Sequence, residues 1–162
     1  MEIQKQLRGE ETAIVDEAWQ AVAGLEHYRR DGQDPGRARL AALYRHVTRA
    51  VSTLDLDGLR AHAGRIARLR YEAGYEQAEV LAAFAALEDA VWRHATAQLP
   101  EAERGWGLGL VGTAFSNARS AVAQTFDSLA PRAHAPFLDL TPVFHQSEAF
   151  EARPADDLVF PV

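Results

Sequence analysis

Hydrophobic residues recur at steps of three and four along most of this chain, which is the spacing of one face of an α-helix. The most regular stripe lies within residues 68–94 and consists of Val80, Leu81, Phe84, Leu87, Val91 and Trp92. It predicts a helix from about residue 75 or 76 to residue 99, and we expect the last four of these side chains to form the centre of a core. Gly74 and Tyr75 separate this helix from an arginine-rich one before it.

The same periodicity predicts four further helices, at residues 11–30, about 35–52, about 56–73 and about 101–129. Alanine and leucine are abundant while isoleucine is scarce, a composition that favours helices over strands. The stripe of the third helix ends at Leu69 or Arg70, and a charged group beside a core must find a partner. The sequence therefore predicts an all-α domain, either a five-helix bundle or a globin-like arrangement.

The composition divides the chain into three parts. Residues 1–10 are polar and are expected to form an N-terminal arm, and residues 11–130 form the helical domain. Residues 131–162 contain five of the seven prolines and no helical stripe, yet they are rich in phenylalanine, leucine and valine. We expect this tail to be extended and to dock on the helical body or on a partner.

Charge and composition narrow the functional classes. The 17 basic and 23 acidic residues give a net charge of −6, which argues against nucleic-acid binding. The absence of cysteine excludes disulfides and thiolate metal sites. No apolar run approaches the ~20 residues that span a bilayer, and residues 1–19 lack the apolar centre of a secretory signal. We therefore expect a cytoplasmic protein with no membrane contact.

Three glycines in the last helix, Gly107, Gly109 and Gly112, satisfy the dinucleotide-binding pattern GxGxxG. That site requires a strand before the glycines and a helix after them. The preceding residues PEAERGW are charged and helical in character, so we expect the glycines to allow close helix packing or to loosen the first helical turns.

Candidate catalytic and metal-binding residues are sparse. The six histidines show none of the paired spacings that place two metal ligands on one helical face. There is no GxSxG nucleophile motif, and the carboxylates of Glu88 and Asp89 are expected to form ordinary surface pairs, such as Asp89 with Arg93. We expect no enzymatic activity, metal or cofactor. A single axial haem ligand needs no motif, so an alternative interpretation is a haem-binding globin-like sensor that uses His62 or His94.

One ligand-binding hypothesis rests on side chains of the second, third and fourth predicted helices. It involves Tyr44, Arg70, Tyr71, Phe84 and Trp92, with Tyr75 at the turn. Aromatic residues at helical spacing also form ordinary core, so this pocket for a small apolar ligand competes with a simple packing role.

The run RARLAALYRHVTRAV, followed by IARLRYEAGYEQAEVLAAFAALEDAVWRH, resembles the helical N-terminal domain of RsbR/RsbRD-type co-antagonists of the bacterial stressosome and related input domains. In that pattern a helix ending in arginine and a small residue meets a Gly-aromatic turn, and a helix rich in Leu, Ala and Phe follows. The resemblance covers residues 11–130. It implies a non-enzymatic sensory or scaffolding module, usually dimeric and related in some members to globins that have lost haem.

In this chain the proline-containing tail follows residue 130 where the family carries an output domain. We therefore expect the domain to act through a protein partner that contacts residues 131–162. The long stripe of the last helix and the apolar tail also predict a homodimer.

Overall fold

The structure is a computed structural model, and it describes Leu7 and residues 9–131. From residue 11 onward these form an all-α bundle without a β-strand, which confirms the predicted fold class. Its helices are α1 (Glu11–Val22), α2 (Glu26–Asp31), α3 (Gln33–Thr53), α4 (Asp57–Glu72), α5 (Gln77–Gln98) and α6 (Glu101–Leu129). The predicted arm and tail lie outside the described residues, apart from Leu7, residues 9 and 10, and Pro131.

The first predicted helix is wrong in one respect, because residues 11–30 form two helices rather than one. The chain leaves the helix after Val22, and Leu25 takes an extended conformation with φ −66° and ψ 142°. Because Gly24 has a low helix propensity, ending the helix there costs little free energy. The new direction buries Tyr28, which is only 4 % exposed, against the turn between α4 and α5.

The core lies between α5 and its neighbours, with α1 on one side and α6 on the other, while α4 packs along α6. Phe84, Leu87 and Val91 are buried as predicted. Trp92 is not, because it follows the core stripe by one residue and is thus rotated about 100° around the helix. Its side chain is 41 % exposed, so its predicted burial is wrong.

The apolar stripe of α6 packs against other helices of the same chain. Its buried residues are Leu108, Val111, Ala114, Phe115, Ala118, Val122 and Phe126, and they face the rest of the bundle. Trp106, near the start of the same helix, is 54 % exposed. The stripe is therefore covered within its own chain and does not support the predicted dimer. The tail, on which that prediction also rests, lies outside the described residues apart from Pro131.

The turn after α4 forms as the sequence predicts. Gly74 has φ +83°, a conformation that glycine adopts without strain. The Tyr75 amide donates to the Arg70 carbonyl at 2.9 Å, and the Gly74 amide donates to the Tyr71 carbonyl at 3.0 Å. These two bonds define a Schellman motif, which satisfies the last carbonyls of α4 and starts the chain toward α5.

Gly36, unlike Gly109 and Gly112 of the GxGxxG pattern, is packed tightly against a neighbouring side chain. A Cβ atom on Gly36 would lie 2.1 Å from Cζ3 of Trp19. A Cβ on Gly109 would meet no atom within 4 Å, and one on Gly112 would be 3.9 Å from Cζ2 of Trp92. All three motif glycines lie inside α6 and a helix precedes them, so they do not form a dinucleotide site.

Surface ion pairs mainly join different helices. Arg93 bonds to Glu17 of α1 rather than to Asp89, and Glu88 bonds to Arg119 of α6. No helix in the described part of the chain is long and apolar enough to cross a membrane.

Candidate functional site

A polar network surrounds the turn between α4 and α5, where the sequence placed its candidate ligand site. We call it the turn cluster, and its members are His27, Tyr28, Asp31, Arg39, Arg70, Tyr75 and Glu79. They come from α2, α3, the end of α4, the turn and the start of α5. The turn cluster therefore joins four helices at one end of the bundle.

Asp31 is the electrostatic centre of the turn cluster. The Tyr75 hydroxyl donates to Oδ2 of Asp31 at 2.6 Å, and Nη1 of Arg39 donates to the same oxygen at 2.7 Å. Arg39 also donates to the Tyr75 hydroxyl oxygen at 3.0 Å. The hydrogen bonds from Tyr75 and Arg39 hold the pKa of Asp31 well below its usual range. Burial and the bond to Asp31 raise the pKa of Tyr75.

Glu79 attaches α2 to the start of α5. Its carboxylate accepts the backbone amide of His27 at 3.2 Å and lies 2.6 Å from Nδ1 of the same residue. It also accepts the Glu76 amide at 3.2 Å, one of the orphan donors at the helix start. Burial raises the pKa of Glu79, but the hydrogen bonds from the His27 and Glu76 amides outweigh it, and the net shift is downward.

Arg70 is the buried charge that the sequence indicated. It is 9 % exposed, and its guanidinium carbon lies 5.4 Å from the centre of the Tyr75 ring. No described carboxylate forms an ion pair with it. Burial, together with the nearby charge of Arg39, lowers its pKa. Its partner is therefore an aromatic face rather than an anion.

Tyr28 completes the turn cluster on its apolar side. Its ring meets the Tyr75 ring edge to face, with centroids 5.3 Å apart. Burial raises the pKa of Tyr28 to about 12, so this hydroxyl stays protonated at neutral pH.

The other side chains of the predicted ligand site have different surroundings. Tyr44 is fully buried and its hydroxyl donates to the Leu7 carbonyl, while Phe84 fills the core. Tyr71 is half-buried and packs edge to face on Phe126, with centroids 5.7 Å apart. Tyr44 and Tyr71 line separate cavities of about 300 and 340 Å³. The cavity at Tyr71 also has Gly74 and Tyr75 in its wall, so Tyr71 and Arg70 both lie at the turn, while Tyr44 and Phe84 are buried in the core.

The two candidate haem ligands, His62 and His94, have different surroundings. Both ring nitrogens of His94 are occupied, with Nδ1 3.2 Å from Glu10 and Nε2 3.0 Å from Glu17. The His62 ring stacks on His46 with centroids 3.8 Å apart, and its Nε2 is enclosed by protein without a hydrogen-bond partner. Within the described residues, no group of three or more histidine or carboxylate side chains is arranged to hold a metal ion.

Sequence reasoning found Arg70 and Tyr75 but missed Asp31, His27 and Arg39. The spacing Glu76-x-x-Glu79 before an apolar run resembles a capping box and could have identified Glu79. Nothing in the local sequence marks Asp31 or His27, because their partners lie 44 and 52 residues away in the chain.

Comparisons with known proteins were made at the level of family, sequence and structure. No family model matches this chain, and no curated protein or solved structure matches it significantly. The resemblance to the stressosome co-antagonist domains therefore stays a prediction.

Proposed function

We propose that this chain is a non-enzymatic regulatory module that acts through protein–protein contact. Its partner in this proposal is a second copy of the chain, bound through the hairpin of α5 and α6. The observation that carries the proposal is the exposure of two tryptophans on that hairpin, Trp92 and Trp106, at 41 % and 54 %.

Exposed tryptophan is informative because this side chain is large, mostly apolar and strongly enriched among the residues that dominate interface energies. Trp92 lies beside Gly112 of α6, and Trp106 stands on the outward side of the same helix. Gly105 and Gly109 are also exposed, and nothing lies within 4 Å of the position that a Cβ would take on either. The surface beside Trp106 therefore has no side chain at these two positions, and another backbone can approach it closely.

The turn cluster supports a regulatory role over a catalytic one. Its carboxylates with lowered pKa values, Asp31 and Glu79, form hydrogen bonds with Tyr75, Arg39 and His27. Groups engaged in this way hold helices together and are not poised to exchange protons with a substrate. A change in the contacts of the turn cluster would alter the packing of four helices, including α5, which carries Trp92.

The test is the mass of the full chain in solution, measured by light scattering over a wide range of concentrations. We expect a dimer. Trp92→Ala and Trp106→Ala should each weaken it by about 2 kcal/mol, or roughly 30-fold in the dissociation constant, as hot-spot tryptophans do. Leu69→Ala is the matched control, because Leu69 is 58 % exposed but lies on α4.

Unfolding midpoints of each variant would show that the bundle remains folded. A chain ending at Ala130 separates the hairpin from the tail. We expect the shortened chain to dimerise, and each tryptophan substitution to weaken that dimer as it weakens the dimer of the full chain. A monomer at every concentration, or a dimer that both tryptophan substitutions leave unchanged, would contradict the proposal.

A further inference from the structure

The groove between the second half of α3 and the first half of α4 carries more positive than negative charge, with two arginines and one aspartate in its wall. It encloses about 310 Å³ and is lined by His46, Arg49 and Thr53 of α3, by Asp55 of the connection, and by Gly58 and Arg65 of α4. Its volume is at the lower end of the range typical of small-molecule sites.

Arg49 of α3 and Arg65 of α4 both line this groove. Neither forms an ion pair with a described carboxylate. Six other described arginines do so, namely Arg30, Arg37, Arg39, Arg45, Arg93 and Arg119, whereas Arg29, Arg60, Arg68, Arg70 and Arg104 do not. Two guanidinium groups on facing helices can hold a phosphate-type oxyanion through several charge-assisted hydrogen bonds.

A stacked pair of histidines adds to this groove. The rings of His46 and His62 lie 3.8 Å apart at an interplanar angle of 20°. Burial lowers the pKa of both, and the charges of Arg65, Arg49 and Arg45 lower that of His46 further. Two imidazoles are thus kept neutral beside unpaired arginines. A bound anion would oppose that effect and favour their protonation.

The start of α4 also faces the groove. Gly58 and Leu59 are in the first turn, where backbone amides have no intrahelical acceptor, and nothing lies within 4 Å of the position of a Gly58 Cβ. The opposing charge on the wall is Asp55, whose Oδ1 already accepts the Asp57 amide at 2.9 Å. The two arginines outweigh this single carboxylate.

We propose that the groove between α3 and α4 binds a small phosphate-type anion, either free phosphate or the phosphate group of a small metabolite, between Arg49 and Arg65. This site is separate from the tryptophan-bearing hairpin, so the proposal of anion binding does not depend on the proposed dimer.

The experiment measures the binding of inorganic phosphate and of glycerol 3-phosphate to the full chain by calorimetry and thermal shift. Sodium chloride at matched ionic strength is the reference. We expect saturable binding of phosphate beyond the chloride effect. Tighter binding of glycerol 3-phosphate would identify a phosphorylated metabolite as the ligand, and equal binding would identify phosphate itself.

Arg49→Gln and Arg65→Gln should each weaken binding about tenfold or more, because each removes charge-assisted hydrogen bonds. Arg60→Gln is the matched control, since Arg60 is exposed on α4 but does not line the groove. Unfolding midpoints without added anion would confirm that the variants are folded. A response equal to that of chloride, or equal binding by all three variants, would overturn the proposal.

Discussion

The contact between Gly36 and Trp19 gives the sharpest test of how α1 and α3 pack. A Cβ atom added at Gly36 would lie 2.1 Å from Cζ3 and 2.7 Å from Cε3 of Trp19. Carbon atoms in good contact are about 3.5–4.0 Å apart, so the ring or the backbone must move by more than 1 Å. Trp19 is only 6 % exposed, so its ring is enclosed and has little room to move away.

Two effects of Gly36→Ala oppose each other. Replacing a helical glycine by alanine stabilises a helix by about 1 kcal/mol, whereas overpacking of a core costs about 1–3 kcal/mol and sometimes more. Because the overlap here is severe, we expect the clash to dominate and the free energy of unfolding to fall by about 1–2 kcal/mol. Gly64→Ala is the matched control. Gly64 lies inside α4, and a Cβ there would meet only Oγ1 of Thr125 at 3.5 Å, an ordinary contact, so the substitution should stabilise by about 0.5–1 kcal/mol.

Urea unfolding followed by far-UV circular dichroism measures both variants, with the slope m showing whether the unfolding transition is otherwise unchanged. Adding Trp19→Leu to the Gly36→Ala background should recover part of the loss, with a coupling energy of about 1 kcal/mol. If Gly36→Ala were as stable as the unaltered chain, or if both glycine variants shifted stability in the same direction, the described packing of α1 on α3 would be wrong.

Further predictions concern the charged groups. Tyr75→Phe should lower the free energy of unfolding at pH 7 by about 1 kcal/mol. The difference should shrink below about pH 4, because the stability that comes from the lowered pKa of Asp31 is present above the unfolded value and lost as pH falls; unfolding at pH 7 and pH 3 tests this. Arg70→Met should raise the free energy of unfolding by about 1 kcal/mol, because it removes a buried charge with no anionic partner, and a loss of that size would refute the assignment. The pKa of His62 is lowered from 6.5 to about 4, so between these pH values the unfolded chain binds more protons than the folded one. The free energy of unfolding should therefore decrease as the pH is lowered through this interval, and His62→Gln should make that decrease smaller. Protein purified after haem supplementation should show no Soret band, and a band that disappears on replacing His62 or His94 would establish the haem-binding alternative.

Part of the candidate site was accessible from the sequence. Arg70 stood out because its position falls on a core stripe, and Gly74 marked the turn because glycine alone readily takes a positive φ there. The partners of the turn could not be predicted in the same way. Asp31 reaches Tyr75 only because α2 breaks away from α1 near Gly24, and that break is stabilised by the burial of Tyr28 against Tyr75, a contact between distant parts of the chain.

Local sequence patterns were enough to predict the all-α class, the positions of most helices and the burial of Phe84, Leu87 and Val91. These features depend on a 3.6-residue periodicity and on local turn chemistry, which are properties of neighbouring residues. The tertiary structure alone decided that Trp92 is exposed and that the stripe of α6 is covered within its own chain. Both outcomes depend on which helices pack against a given helix face. For Trp92 this matters because adjacent positions on a helix point about 100° apart, so Trp92 can be exposed while Val91 is buried.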